Sequence, residues 1–91
     1  MAKVIVTLKI MPESPDIKLD KIQEQAKRII ADFGGDVGKV EEKPIAFGLK
    51  ALYIIFIMDE SKGSTETLED SVSEIEGVKS VEVTDVRRAV G

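Results

Sequence analysis

The sequence predicts an α+β fold of the ferredoxin-like kind, a βαββαβ sandwich in which a four-stranded antiparallel sheet carries two helices on one face. Three patterns predict it. Apolar residues alternate with period two near both ends of the chain, they recur in steps of three and four in two longer segments, and they run unbroken from Ala51 to Met58. Helices that cross over between parallel strands do so by right-handed connections, which leaves both on the same side of the sheet.

The first strand covers Lys3 to Met11, with Val4, Val6, Leu8 and Ile10 on its core face. Pro12 and Pro15 stop it, because proline cannot donate to a ladder. Leu19, Ile22, Ala26, Ile29, Ile30 and Phe33 then follow at helical spacing, and Gly34 and Gly35 end that helix. Val37 to Pro44 is a short charged strand. It forms a hairpin-like pair with Leu49 to Met58, whose density of Ile, Leu, Tyr and Phe predicts a central strand buried on both faces. Ser64 and the acidic Glu66 open a second helix with Leu68, Val72 and Ile75 inward and Gly77 as its stop. The last strand, Val78 to Val86, alternates about Val81 and Val83 and ends in the basic pair Arg87 and Arg88.

Composition removes most chemistry. Ninety-one residues supply one hydrophobic core and not a second, so residues 1–91 are expected to form a single domain. With 43% hydrophobic and 33% charged residues the balance is that of a soluble globular protein. A net charge of −4 repels polyphosphate, so neither a direct nucleic-acid partner nor an anionic membrane is expected. No apolar run approaches the roughly 20 residues that cross a bilayer, and the N-terminus lacks a signal-peptide pattern; a cytoplasmic location is expected. The chain has no Cys, His, Trp or Asn, which excludes disulfides, thiolate chemistry, the usual zinc ligands and histidine acid–base catalysis. No cofactor and no enzymatic activity are expected.

A ferredoxin-like fold hosts many unrelated functions, so function must be read from sites. Base stacking by a four-stranded sheet needs aromatics on its open face, and Tyr53 and Phe56 have opposite parity in one strand. An acylphosphatase-like enzyme would need an Asn that the chain lacks. The carboxylate pairs Asp16 with Asp20, Glu41 with Glu42 and Asp59 with Glu60 lack the loop spacing of a Ca²⁺ site and read as solvated turns. A ligand-sensing or oligomerisation module using the sheet edge and helix N-termini stays open.

Three segments carry a resemblance: VIVTLKIMPESPD at Val4 to Asp16, PIAFGLKAL at Pro44 to Leu52 and IEGVKSVEVTDVRR at Ile75 to Arg88. Together they closely resemble the archaeal elongation factor 1-beta family, the guanine nucleotide exchange factors of elongation factor 1-alpha. The second segment is the most specific, matching the family's run of Pro, apolar, small, aromatic, Gly, apolar and Lys. In the eukaryotic relatives this unit follows an N-terminal domain and an acidic linker; the resemblance here is to the exchange unit, and that unit alone is expected.

The resemblance implies a protein that promotes GDP release and GTP loading on the GTPase elongation factor 1-alpha without covalent chemistry. In the family a basic side chain near the C-terminus inserts toward the GTPase's Mg²⁺ site. Alignment on VKSVEV puts the eukaryotic Lys on Arg88, with Arg87 before it and Ala89 to Gly91 after it. On a continuing strand the two arginines face opposite sides, so which one inserts stays open, as does the alternative of a solvated pair at a frayed terminus. Phe47, beside Gly48, matches the family's aromatic at the GTPase contact, and on the residues alone is equally a core phenylalanine. Lys50 suits an acidic GTPase surface or simple solvation.

Overall fold

The computed structural model describes residues 2–89. Strand β1 spans Lys3–Pro12, helix α1 Leu19–Phe33, β2 Asp36–Pro44, β3 Lys50–Asp59, helix α2 Glu66–Ser73 and β4 Val78–Arg88; a single 3-10 turn, Glu60–Lys62, follows β3. The four strands lie in the order β2-β3-β1-β4 with every neighbouring pair antiparallel, which is the ferredoxin-like arrangement.

One layer of side chains makes the core. Val6, Leu8 and Ile10 of β1 and Leu52, Ile54, Phe56 and Met58 of β3 point to the same face. They meet Leu19, Ile22, Ala26 and Ile30 of α1 and Leu68 and Val72 of α2. These are the even positions of both strands, as alternation requires. No polar or charged side chain among the described residues is buried. Val37, Val40, Val81 and Val83 extend the core onto the two edge strands.

The helix end is seated by its glycines. Gly34 takes φ 103° and its N–H bonds back to Ala31 O, the left-handed cap that glycine alone adopts cheaply. Gly35 is needed for space, since a Cβ there would stand 2.7 Å from Ile30 Cγ2 and 3.0 Å from Phe56 Cδ2. The chain thus turns directly off α1 into β2 over the Phe56 ring.

Three expectations need correction. β3 is fully buried on one face and only partly on the other: on the side without helices Ala51 is buried, but Tyr53 and Ile55 are half-buried and Ile57 is 38% exposed. Its apolar run arises because cross-strand neighbours shield the open face laterally; Lys43 Nζ, for example, lies 4.9 Å from the Tyr53 ring centroid. Helix α2 ends at Ser73, capped by Glu74, and not at Gly77. Gly77, at φ 92°, instead forms the turn into β4, with its carbonyl accepting from Glu13 N at 2.9 Å. β4 runs on through Arg87 and Arg88, past the expected end at Val86.

Phe56 is the largest fully buried side chain and joins β3 to the α1–β2 corner. Phe56→Ala is expected to lower the unfolding free energy by about 3 to 5 kcal/mol, read by urea denaturation. A loss under about 1 kcal/mol would mean that this corner is not part of the core.

Candidate functional site

The sequence-predicted residues fall into two groups at opposite ends of the molecule. Phe47, Gly48 and Lys50 sit at the β2–β3 hairpin, where β3 begins; Arg87 and Arg88 end β4 alongside the close of β3. Ten residues of β3 separate the ends, about 30 Å at strand rise, on a molecule 42 Å long.

The hairpin tip is a four-residue turn closed by Leu49 N donating to Ala46 O at 3.1 Å, with Ile45 N donating to Leu49 O at 2.8 Å. Its two central residues both have positive φ, 59° at Phe47 and 74° at Gly48, as a primed hairpin turn requires. Glycine takes that conformation freely; phenylalanine pays about 1–2 kcal/mol for it. Phe47 is 94% exposed, so no burial offsets the strain, and the core alternative for this residue is excluded. Ile45, 37% exposed, stands beside it. Gly48 and the exposed Lys50 line a groove of about 450 Å³ that also touches Pro15 and Lys18 of the β1–α1 connection and Leu19 at the start of α1.

At the other end the decisive feature is a β-bulge. Val83 pairs with Leu8 but Asp85 pairs with Thr7, so Thr84 is an extra residue and the alternation of β4 is reset. Uninterrupted alternation from Val81 and Val83 would place Arg87 on the helix face. The bulge reverses this: Arg88, opposite Val4, shares the helix face, and Arg87, opposite Ile5, takes the open face. Arg87 Nε donates to Asp85 Oδ2 at 2.8 Å on that open face. Arg88 Nη2 donates to both carboxylate oxygens of Glu60 at 2.8 Å.

Both arginines lie within β4. Ala89 N bonds to Lys3 O at 2.8 Å, carrying the ladder one residue past Arg88; Val90 and Gly91 lie outside the described residues. The hydrogen bond and charge of Glu60 raise Arg88 above the ordinary guanidinium value. Glu60 is itself fixed by its turn, in which the Asp59 carboxylate accepts from Ser61 N at 2.9 Å. That backbone bond holds Asp59 below the ordinary carboxylate value. Val86, 58% exposed and in the same row as Arg88, adds an apolar neighbour that sequence periodicity missed; the signal was its displacement from the Val81–Val83 parity.

Of the carboxylate pairs, Glu41 lies below its ordinary value through the hydrogen bond and charge of Lys39, 3.0 Å away, with Lys43 at 3.6 Å. It is an ion pair on the sheet surface. Among the described residues no group of three or more acidic, His or Cys side chains could hold a metal ion, and no helix is long and apolar enough to cross a membrane.

Comparison with known proteins matches residues 5–89 to the family described as the EF-1 guanine nucleotide exchange domain. A protein named Elongation factor 1-beta from Methanothermobacter thermautotrophicus is 46% identical over 88 residues, covering 97% of this chain and 98% of that protein. Proteins of the same name from Natronomonas pharaonis and Methanocaldococcus jannaschii are 38% and 37% identical, over 97% and 98% of this chain and 99% and 100% of theirs. Among solved structures, the C-terminal domain of the MgtC protein from Mycobacterium tuberculosis superposes with a TM-score of 0.64 at 12% identity, covering 97% of this chain and 88% of its own. The ACT domain from GTP pyrophosphokinase of Chlorobium tepidum gives 0.60 at 18%, covering 89% and 97%. These two likenesses show the fold alone.

Phe47→Ala is expected to change the unfolding free energy by no more than about 0.5 kcal/mol, because an exposed side chain on a strained turn contributes little to the fold. A loss above about 2 kcal/mol in the same denaturation experiment would show that the ring packs against the protein in solution.

Proposed function

The chain belongs to the EF-1 guanine nucleotide exchange domain family, a family of translation elongation factors, and from that premise we propose that it promotes GDP release and GTP loading on elongation factor 1-alpha. The observation that carries this reading is Phe47, a large apolar side chain held 94% exposed in a strained turn at the family's aromatic position. Fold stability gives no reason for it; docking to a partner does.

The GTPase holds GDP through its phosphate loop and a Mg²⁺ ion, so a factor that weakens the metal contacts speeds release. Arg88 supplies a permanent cation on a long stem at the end of β4, suited to displacing the metal electrostatically. Arg88 is the inserting residue in this reading, since the bulge gives it the helix-side row while Arg87 meets the rim from the open face. Binding to the empty GTPase more tightly than to the loaded one lowers nucleotide affinity by the same factor, and no covalent bond changes. Gly48 permits the primed turn and Lys50 meets the partner's surface beside Phe47.

Because about 30 Å of sheet separates the two groups, they engage two distant regions of the GTPase at once. Phe47 anchors and Arg88 perturbs.

In a stopped-flow assay of labelled GDP on elongation factor 1-alpha, the wild-type chain is expected to accelerate release. Arg88→Ala is expected to cut the maximal rate at least tenfold with little change in half-saturating concentration, and Arg87→Ala to cost less. Phe47→Ala is expected to raise the half-saturating concentration by roughly 30-fold, the scale of an interface anchor. Absence of acceleration by the wild-type chain refutes the reading; equal losses for Arg87→Ala and Arg88→Ala refute the assignment of Arg88. A thermal shift with a small metabolite, with no effect on nucleotide release, would favour a ligand-sensing module instead.

A further inference from the structure

We propose that Glu60 is a positioning residue for Arg88, an internal counter-ion that parks the guanidinium across the end of the sheet until the GTPase takes it over. The proposal rests on the exchange reading given above and adds a control point to it.

The geometry is specific. Glu60 follows β3 and Arg88 ends β4, with β1 between them, so the two side chains must converge over the start of β1 to meet. They do so with one guanidinium nitrogen 2.8 Å from both carboxylate oxygens. Two backbone bonds frame the pair: Glu60 N donates to Ala2 O at 2.9 Å and Ala89 N to Lys3 O at 2.8 Å, placing both residues beside the entry to β1. Asp59 caps the turn that carries Glu60, its carboxylate accepting from Ser61 N at 2.9 Å. The Arg88 head is therefore directed laterally, back over its own sheet.

A side chain in that pose cannot also extend beyond the strand end into a partner. Insertion requires the Glu60 contact to open, and the lost pairing counts against the inserted state. Both groups are more than a third exposed, so water and salt already weaken the pair and the hold is modest. Glu60 is also the group whose removal leaves Arg88 with no charge partner among the described residues. Removing that carboxylate frees the cation without touching the atom that acts on the metal site. Glu60 thus sets how readily Arg88 inserts, while Arg88 sets what insertion does.

The test uses the full chain with elongation factor 1-alpha loaded with fluorescent GDP, comparing wild type, Glu60→Gln, Arg88→Ala and the double variant at low and high salt. Thermal unfolding confirms that each variant is folded. Glu60→Gln is expected to raise the apparent second-order rate of GDP release by about two- to fivefold at low salt. The gain is expected to shrink at high salt, where the wild-type pair is already screened, and to vanish in the Arg88→Ala background. A rate that is unchanged or lower in Glu60→Gln overturns the proposal, as does an equal gain with Arg88 absent. If the wild-type chain does not accelerate release, the exchange reading fails first and the role of Glu60 fails with it; a failure confined to the Glu60 variants leaves the exchange reading standing.

Discussion

The packing of Leu8 and Ile10 of β1 and Leu52, Ile54 and Phe56 of β3 against Ile22, Ala26 and Ile30 of α1 is the contact on which the rest of the molecule depends. It joins the two central strands to the longer helix in one apolar layer, and it consumes the even-numbered face of both strands. Everything else follows from what that layer leaves over. The helices occupy one face only, the opposite face is shielded by its own polar stems, and the two ends of the sheet carry the turns and the terminal strand. A protein of this size has little core to spare, so residues that serve a partner must sit where packing makes no claim on them. Phe47 and Arg88, the two residues proposed for that role, both do.

Much of the fold was legible because it is periodic. Steps of two located β1 and β4, steps of three and four located both helices, the unbroken apolar run located β3 with β2 as its charged hairpin partner, and the paired glycines after Phe33 marked the end of α1. What failed was local and had a local cause. An eight-residue apolar run reads as a strand buried on both sides, yet Tyr53, Ile55 and Ile57 find partial cover from neighbours in the plane of an open sheet, a source of burial that periodicity does not register. Gly77 read as a helix stop because glycine commonly ends helices. Here the helix stops at Ser73, and the glycine is required by a later turn at φ 92°, where a Cβ would also stand 2.9 Å from Ile17 Cγ2.

The candidate residues were named by likeness, and their geometry was not legible. Phe47, Arg87 and Arg88 stood out through their likeness to a family, whereas the residues alone left Phe47 between core and surface and left the arginines unassigned. Exposure settles the first: a ring at 94% is no part of the core. The second turns on Thr84, one extra residue against Thr7 and Leu8. The one trace of the bulge in the run EVTDVRR is Val86, which stands three residues after Val83 and so off the Val81–Val83 parity, a break that the alternation read through Val81 and Val83 passed over. One inserted residue nevertheless exchanges the faces of every side chain after it, and so decides which arginine meets Glu60 and which meets Asp85. Glu60 had been visible only as half of a solvated acidic pair, because its partner lies 28 positions away in sequence.

A rigid sheet between two separated contacts has an energetic meaning in the proposed exchange reaction. An anchor alone would raise affinity for every nucleotide state of the GTPase alike and would not change nucleotide release. A cation alone, on a flexible tether, would lose most of its effect to the entropy of finding the metal site. Joined by strand β3, whose ladder to β1 runs from Lys3↔Asp59 to Ile10↔Leu52 without a break, the anchor holds the cation at a fixed distance. Binding energy gained at Phe47 can then be spent on forcing Arg88 toward a site that resists it. The unbroken β1–β3 register and the bulged β1–β4 register divide the work accordingly: the first fixes the span between the two ends, and the second aims the side chain at one of them.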